Sequence, residues 1–249
     1  MLVSAAAIYG VGASPAFDYT KLQVDGLHFT DSAAVEAALA GARGQNLFRL
    51  STAPLRAALE TLSTVASARV DVHLPGTLAV TIDERHPVLV WQVGARRYLA
   101  DADGSLFAKL PDKPPPEAAA LPVIDDRRAA SAGLSIGGRL DPVDLDAATR
   151  LASLVPADVG SSAVSLAVLV TDENGFVVET RPKGWSAVFG FYTTSLRTTE
   201  LIPGQVRLLR SLLTGREQLV DRVILASETD GTYTPRATPA GSAKPSKSP

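Results

Sequence analysis

Between residues 68 and 82 the chain alternates apolar and polar side chains twice, on either side of a Pro75-Gly76 step. Ala68, Val70, Val72 and Leu74 interleave with Arg69, Asp71 and His73, and beyond the turn Leu78, Val80 and Ile82 alternate again. A period of two sends each apolar set to one face of a strand, so the two runs form strands with one face buried and one wet. Such a face needs a cover, and the chain supplies two amphipathic helices ahead of it. Val35, Ala38, Leu39 and Ala42 share one side of a helix that Thr30 or Asp31 caps and that Gly41 and Gly44 stop. Leu55, Ala58, Leu59 and Leu62 do the same for a helix capped by Ser51 or Thr52, with Pro54 in its first turn. Residues 46–50 read as extended, and a short strand over 21–24 closes at Asp25-Gly26. The order β-α-α-β-β makes a complete small α+β domain over residues 17–87.

The remainder is richer in strands. Strands are expected at 88–93, 97–100 and 106–107, the last after an Asp103-Gly104 turn. The proline-rich stretch 109–117 reads as a surface loop. Val143, Leu145, Ala148, Leu151 and Leu154 predict a helix over 142–154 with Asp141 as its cap. Asp172-Glu173-Asn174-Gly175 joins strands at 164–170 and 176–180 in a hairpin, and 185–191 adds a third. Val206, Leu209, Leu212 and Leu213 mark a helix ended by Gly215, and a strand pair at 220–226 and 231–236 closes around Asp230-Gly231. The whole is an α+β chain, its small first domain followed by a second β-rich mixed domain over 88–236.

Composition removes several function classes. Lys plus Arg (24) against Asp plus Glu (26) gives a net charge of -2, without the basic excess of nucleic-acid binders. Zero cysteines exclude disulfides and thiolate ligands, and with only three histidines, 28, 73 and 86, a multi-histidine metal site would need all of them together. Gly133-Leu134-Ser135-Ile136-Gly137 fits G-x-S-x-G, but no strand-to-helix turn surrounds it and every histidine lies upstream. Gly10-Val11-Gly12 lacks the third glycine of a dinucleotide fingerprint, and Pro15 stands in its place. The acidic neighbours Asp83-Glu84 and Asp125-Asp126 point to opposite strand faces and read as solvated charges, as do Asp101 and Asp103. The expectation is a non-enzyme with no cofactor, no metal, no small-molecule substrate and no nucleic-acid partner.

The ends differ from the body. Residues 2–13 (LVSAAAIYGVGA) carry no charge, yet the run is shorter than the ~20 residues a spanning helix needs. A buried element, a signal remnant and the outer part of a membrane anchor remain as readings; the segment 1–16 is taken as a partial anchor or apolar leader. Residues 237–249 lack aromatic residues and read as a disordered tail.

The motifs Gly44-x-Asn46-Leu47-Phe48-x-Leu50 and Leu74-Pro75-Gly76-Thr77-Leu78-x-Val80-x-Ile82-x-Glu84-Arg85-x-Pro87, in a β-α-α-β-β unit behind an apolar segment, resemble the FtsQ/DivIB cell-division family. Trp91, Asp101, Asp103-Gly104, Phe107 and Leu121-Pro122 also fall where that family places them. The resemblance implies a POTRA domain followed by an FtsQ-type β domain. Glu84, Arg85 and Pro87 would then form the joint between the two, Pro87 by forcing an extended exit. It further implies a single-pass anchor with its N-terminus in the cytoplasm and its body outside the cell membrane. The protein would act at the division septum as a scaffold for FtsB/DivIC-like and FtsL-like partners. In the family the last strand pairs with a partner strand, which here designates Thr232, Tyr233, Thr234 and Arg236. Tyr233 is the large side chain of that stretch; packing on its own sheet is the alternative role. Pro235 removes one donor from the edge. The competing assignment is a POTRA-containing component of protein secretion or outer-membrane assembly.

Overall fold

The computed structural model describes residues 14–237, so the apolar run 2–13 and the tail from 238 onward, with the anchor and disorder expected of them, lie outside the described residues. The chain divides into two compact units after Pro87, with Leu106–Ala108 grouped with the first.

In the first unit β1 (Lys21–Asp25), α1 (Ser32–Ala38), α2 (Thr52–Glu60), β2 (Val65–His73) and β3 (Thr77–Glu84) follow the expected order. They build a three-stranded sheet in the order β1-β3-β2, with β1 parallel and β2 antiparallel to β3. A parallel pair needs a long crossover, and the two helices lie within it. Asp31 is the cap of α1, its carboxylate accepting the Ala33 N–H at 3.0 Å. The two apolar stripes meet the alternating strand face: Val35, Leu39, Ala42 and Leu59 are buried with Val65, Leu78, Val80 and Ile82. Truncating a core leucine such as Leu39 to alanine would cost about 2–5 kcal/mol. Gly26 sits at φ +92°, where a Cβ would fall 2.0 Å from the Ile82 carbonyl oxygen, so only glycine fits after β1.

Residues 46–50 are not extended as expected. Asn46 makes an isolated bridge to Asp18 and residues 47–49 turn. The Asn46 side chain is the cause: its Oδ1 accepts the Phe48 N–H at 3.1 Å and its amide donates to the Ser14 carbonyl at 3.1 Å. A short polar side chain of this kind competes with strand pairing for the backbone.

Beyond Pro87 the chain contains β4 (Leu89–Val93), β5 (Arg96–Ala100), β6 (Leu106–Lys109), α3 (Pro116–Ala119), β7 (Val123–Asp126), α4 (Pro142–Ala152), β8 (Ser165–Thr171), β9 (Gly175–Arg181), β10 (Ser186–Gly190), α5 (Ile202–Leu213), β11 (Val220–Leu225) and β12 (Gly231–Pro235), all but β6 lying in the second unit. Nine strands form one sheet in the order β12-β11-β10-β9-β8-β7-β4-β5-β6. Strand β7 was not legible in the sequence, yet it joins the halves of the sheet, parallel to β4 on one side and β8 on the other. The stretch 109–117 is a loop only as far as α3. Tyr98, Trp91, Ile124, Val168, Val178, Ala187 and Val223 stand in register across seven strands, and all are buried. Helices α4 and α5 pack on this sheet with Ala147, Ala148, Leu151, Leu209 and Leu213 buried. Asp141 caps α4, accepting the Val143 N–H at 2.8 Å.

A candidate partner-binding edge strand

Strand β12 ends the nine-stranded sheet, so one side of its backbone pairs with β11 and the other is free. The ladder fixes which groups face outward. Ala226 N–H donates to the Asp230 carbonyl at 2.9 Å, and Arg236 N–H to the Leu219 carbonyl at 2.7 Å. Hydrogen-bonded positions alternate along an antiparallel pair, so Thr232, Thr234 and Arg236 face β11. Gly231, Tyr233 and Pro235 therefore turn their backbone groups away from it. Pro235 stands where no ladder bond is lost, and its missing N–H leaves donors only from Gly231 and Tyr233 on this edge. The register shifts at a bulge between Val220 and Arg222 as the strand pair ends.

The side chains alternate across the same strand. Tyr233 pairs with Val223 and so extends the buried row described above, but at the sheet edge it is 48% exposed. Thr232 and Thr234 point to the other face beside Ile224, itself 45% exposed, and Arg222. Arg222 donates to the Asn174 Oδ1 at 2.6 Å, tying that face to the β8–β9 hairpin. Arg236 is tied back as well, its guanidinium donating to the Val220 carbonyl at 3.1 Å. The structure thus gathers all four sequence-designated residues on β12 and its exit, all of them exposed. Ile224 was missed. Its signal in the sequence is a break in alternation, an apolar residue between Val223 and Leu225 where a polar one belongs.

Two polar side chains, buried Gln205 and half-buried Arg197, hold the base of this strand pair. Gln205 of α5 is fully buried and donates to the carbonyls of Phe189 (3.1 Å) and Leu225 (3.0 Å), the last residues of parallel neighbours β10 and β11 or their close neighbours. Its Oε1 accepts the Tyr192 hydroxyl at 2.7 Å. Burial pushes the Tyr192 phenol up, which keeps it a donor. Arg197 donates to the same two carbonyls at 2.7 and 2.8 Å and reaches the Ala226 carbonyl, where β11 turns toward β12.

The residues designated for a joint bind loops of the first unit. The Glu84 carboxylate accepts the backbone N–H groups of His28 (3.0 Å), Phe29 (2.8 Å) and Thr30 (2.7 Å) ahead of α1. Burial alone would raise its pKa, but the hydroxyl of Thr30 and these backbone donors outweigh burial and hold it below the ordinary range. Arg85 donates through Nε to the Ser63 carbonyl at 3.1 Å, and its N–H to that of Thr64 at 2.8 Å. Pro87 is half-buried.

The expectation of solvated carboxylates fails at Asp126, Glu84 and Asp101. Asp126 is fully buried and accepts Trp91 Nε1 at 3.1 Å, the Ser131 hydroxyl at 2.6 Å and three N–H groups of Arg128. Arg128 also pairs with Asp144 at 2.7 Å. Asp101 closes its own turn, accepting the N–H groups of Asp103 (3.0 Å) and Ser105 (2.8 Å). Glu217 is likewise held by neutral donors, Ser161, Ser162 and Trp185. Burial raises its pKa, but these bonds outweigh it and lower it to about 2. Ser135 lies in a loop after a short 3-10 turn, not at a strand-to-helix turn. Each carboxylate's partners are structural, and among the described residues no cluster of His, Asp and Glu is placed to hold a metal ion.

Residues 17–85 match the family model of the FtsQ-type POTRA domain. The chain is 32% identical over 67% of its length to the cell division protein FtsQ of Mycobacteroides abscessus, covering 55% of that protein. It is 29% identical over 64% of its length to FtsQ of Chloroflexus aurantiacus (56% of that protein), and 32% identical over 66% to FtsQ of a Jannaschia species (58% of that protein). The chain thus spans somewhat over half the length of these curated relatives.

Proposed function

We propose that this chain, a relative of the FtsQ cell-division proteins with an FtsQ-type POTRA domain at residues 17–85, is a non-enzymatic scaffold of the bacterial division complex. It captures small FtsB/DivIC-like and FtsL-like proteins through β12 during septum formation. The observation that carries the reading is the free edge of β12. An incoming strand finds donors at Gly231 and Tyr233, carbonyls beside them, and alternating side chains that differ on the two faces. Pro235 limits the length of that pairing and blunts the edge against a second copy of itself.

Further parts of the reading follow from kinship with division proteins. The body lies outside the cell membrane, and the uncharged run at 2–13 belongs to an anchor that starts in the cytoplasm. Among the described residues no helix is long and apolar enough to cross a membrane. Residues 84–87 lead the chain from the POTRA domain into the β domain over 88–236.

The test is capture of partners from source cells by the full chain, with mass spectrometry as readout. A chain cut after Ser227 is expected to lose small coiled-coil membrane proteins from the eluate. Tyr233→Ala is expected to lose more of them than Lys247→Ala, since it removes the edge's large side chain. Equal recovery by the cut and full chains would overturn the edge-strand reading. Recovery of outer-membrane or secreted proteins instead would move the chain to the secretion machinery.

A further inference from the structure

One end of the first unit is oily where its remaining surface is polar. Phe48 is 53% exposed and Leu74 51% exposed, and they are the first unit's exposed large apolar side chains among the described residues. Phe48 does not fold back into the core. It stacks edge-to-face on Phe17, with ring centroids 4.9 Å apart. Backbone bonds bring together the segments that carry the three side chains. The segment 17–20 is bonded to the loop before Phe48 (Tyr19 N–H to Gln45 at 2.9 Å, Leu47 N–H to Phe17 at 2.9 Å) and to the turn after Leu74 (Thr20 N–H to Gly76 at 3.0 Å). Arg43 and Arg49 are exposed in the loop that carries Phe48, Arg43 with Glu36 at 3.7 Å.

We propose that this end of the first unit seats in the headgroup layer of a lipid bilayer, with Phe48 and Leu74 inserted and Phe17 bracing Phe48. The occupant is identified by the chain that leads to it. Residues 2–13 carry no charge and run directly into Ser14 and Phe17, so what feeds this end is a segment that partitions into lipid. An aromatic ring with arginines beside it suits the boundary between acyl chains and anionic headgroups. The inference rests on the anchor reading of residues 2–13 and adds to it a second contact, made by the folded domain itself. That contact would fix the tilt of the POTRA domain on the membrane and not merely tether it.

The test uses the full chain with phosphatidylcholine and phosphatidylglycerol vesicles, with and without bromine in the acyl chains. Trp91 and Trp185 are both fully buried and supply a constant background. Phe48→Trp places a reporter at the proposed contact, and Leu196→Trp places one at a residue 94% exposed in the second unit. Brominated lipid is expected to remove most of the emission added by Phe48→Trp and little of that added by Leu196→Trp. The double variant Phe48→Ser with Leu74→Ser is expected to partition about tenfold less into vesicles than Leu196→Ser. A chain that floats with vesicles while Phe48→Trp keeps its emission overturns the inserted face and leaves the anchor standing. A chain that does not float overturns both. Blue-shifted emission that bromine does not quench means that protein, such as a second copy, covers Phe48, and this too overturns the proposal.

Discussion

Asp83-Glu84 in the first unit and Asp125-Asp126 in the second are the same word in the sequence, two adjacent carboxylates at the end of a strand. Strand geometry sends the members of each pair to opposite faces. In both, the first residue keeps contact with solvent and the second is buried. The buried members are then satisfied in different ways. Glu84 takes backbone N–H groups of residues 28–30 and has none of the arginine contacts that surround Asp126. Asp126 takes an arginine that is itself shared with Asp144, together with an indole and a hydroxyl. A buried charge must be paired or hydrogen-bonded, and the chain uses a loop's backbone in one domain and a side-chain network in the other. The first solution fixes where α1 begins. The second locks β4 to the segment after β7 at the middle of the large sheet.

The largest effect that would sharpen this contrast is Asp126→Ala, expected to destabilise the second unit by about 3–5 kcal/mol. It removes half of Arg128's pairing and leaves Trp91 Nε1 and the Ser131 hydroxyl without their acceptor. Urea unfolding followed by tryptophan fluorescence measures it, and a loss as small as that of a surface variant would break the comparison. Glu84→Gln should cost less, about 1–3 kcal/mol, since an amide oxygen still accepts from the loop. The pH dependence gives the sign. Both carboxyls are held below their ordinary range, because donors outweigh the upward push of burial. Their stabilisation is complete above the unfolded carboxylate pKa of ~4 and disappears as pH falls through the lower folded values. Asp144 runs the other way: burial, Asp141 and Asp126 outweigh Arg128 and raise it, so its charge is lost first on acidification. Acid titration of Glu84→Gln should therefore show a shallower loss of stability below about pH 4 than the parent. Smallest are Asp83→Ala and Asp125→Ala, expected within about 0.5 kcal/mol, because exposed pairs such as Asp125–Arg127 contribute little.

The candidate edge was legible in part. Tyr233 and its threonines sit in a short run after Asp230-Gly231, and turn chemistry with alternation was enough to place them on a last strand. That this strand lies at the sheet's edge, and that Pro235 falls on its outward-facing set, follow only from pairing with β11. Gln205 and Arg197 carried no signal at all. Each matters because two parallel strands end side by side and present carbonyls to the same side chains.

What the sequence determined by itself is the part governed by local period and turn chemistry. The alternation at 68–82, the two helical stripes, the Asp31 and Asp141 caps and the β-α-α-β-β order all rest on residues within one or two turns of each other. The tertiary structure alone decided what depends on distant partners. Strand β7 has only four residues, two of them acidic, and becomes a strand because β4 and β8 supply its ladder on both sides. Glu84 meets donors from residues 28–30, and Asp126 meets the distant Trp91 indole beside its nearer partners Arg128 and Ser131. Asn46 turns where extension was expected because its amide finds the Ser14 carbonyl. In each case a short segment has too few local interactions to set its own conformation, so long-range hydrogen bonds set it instead.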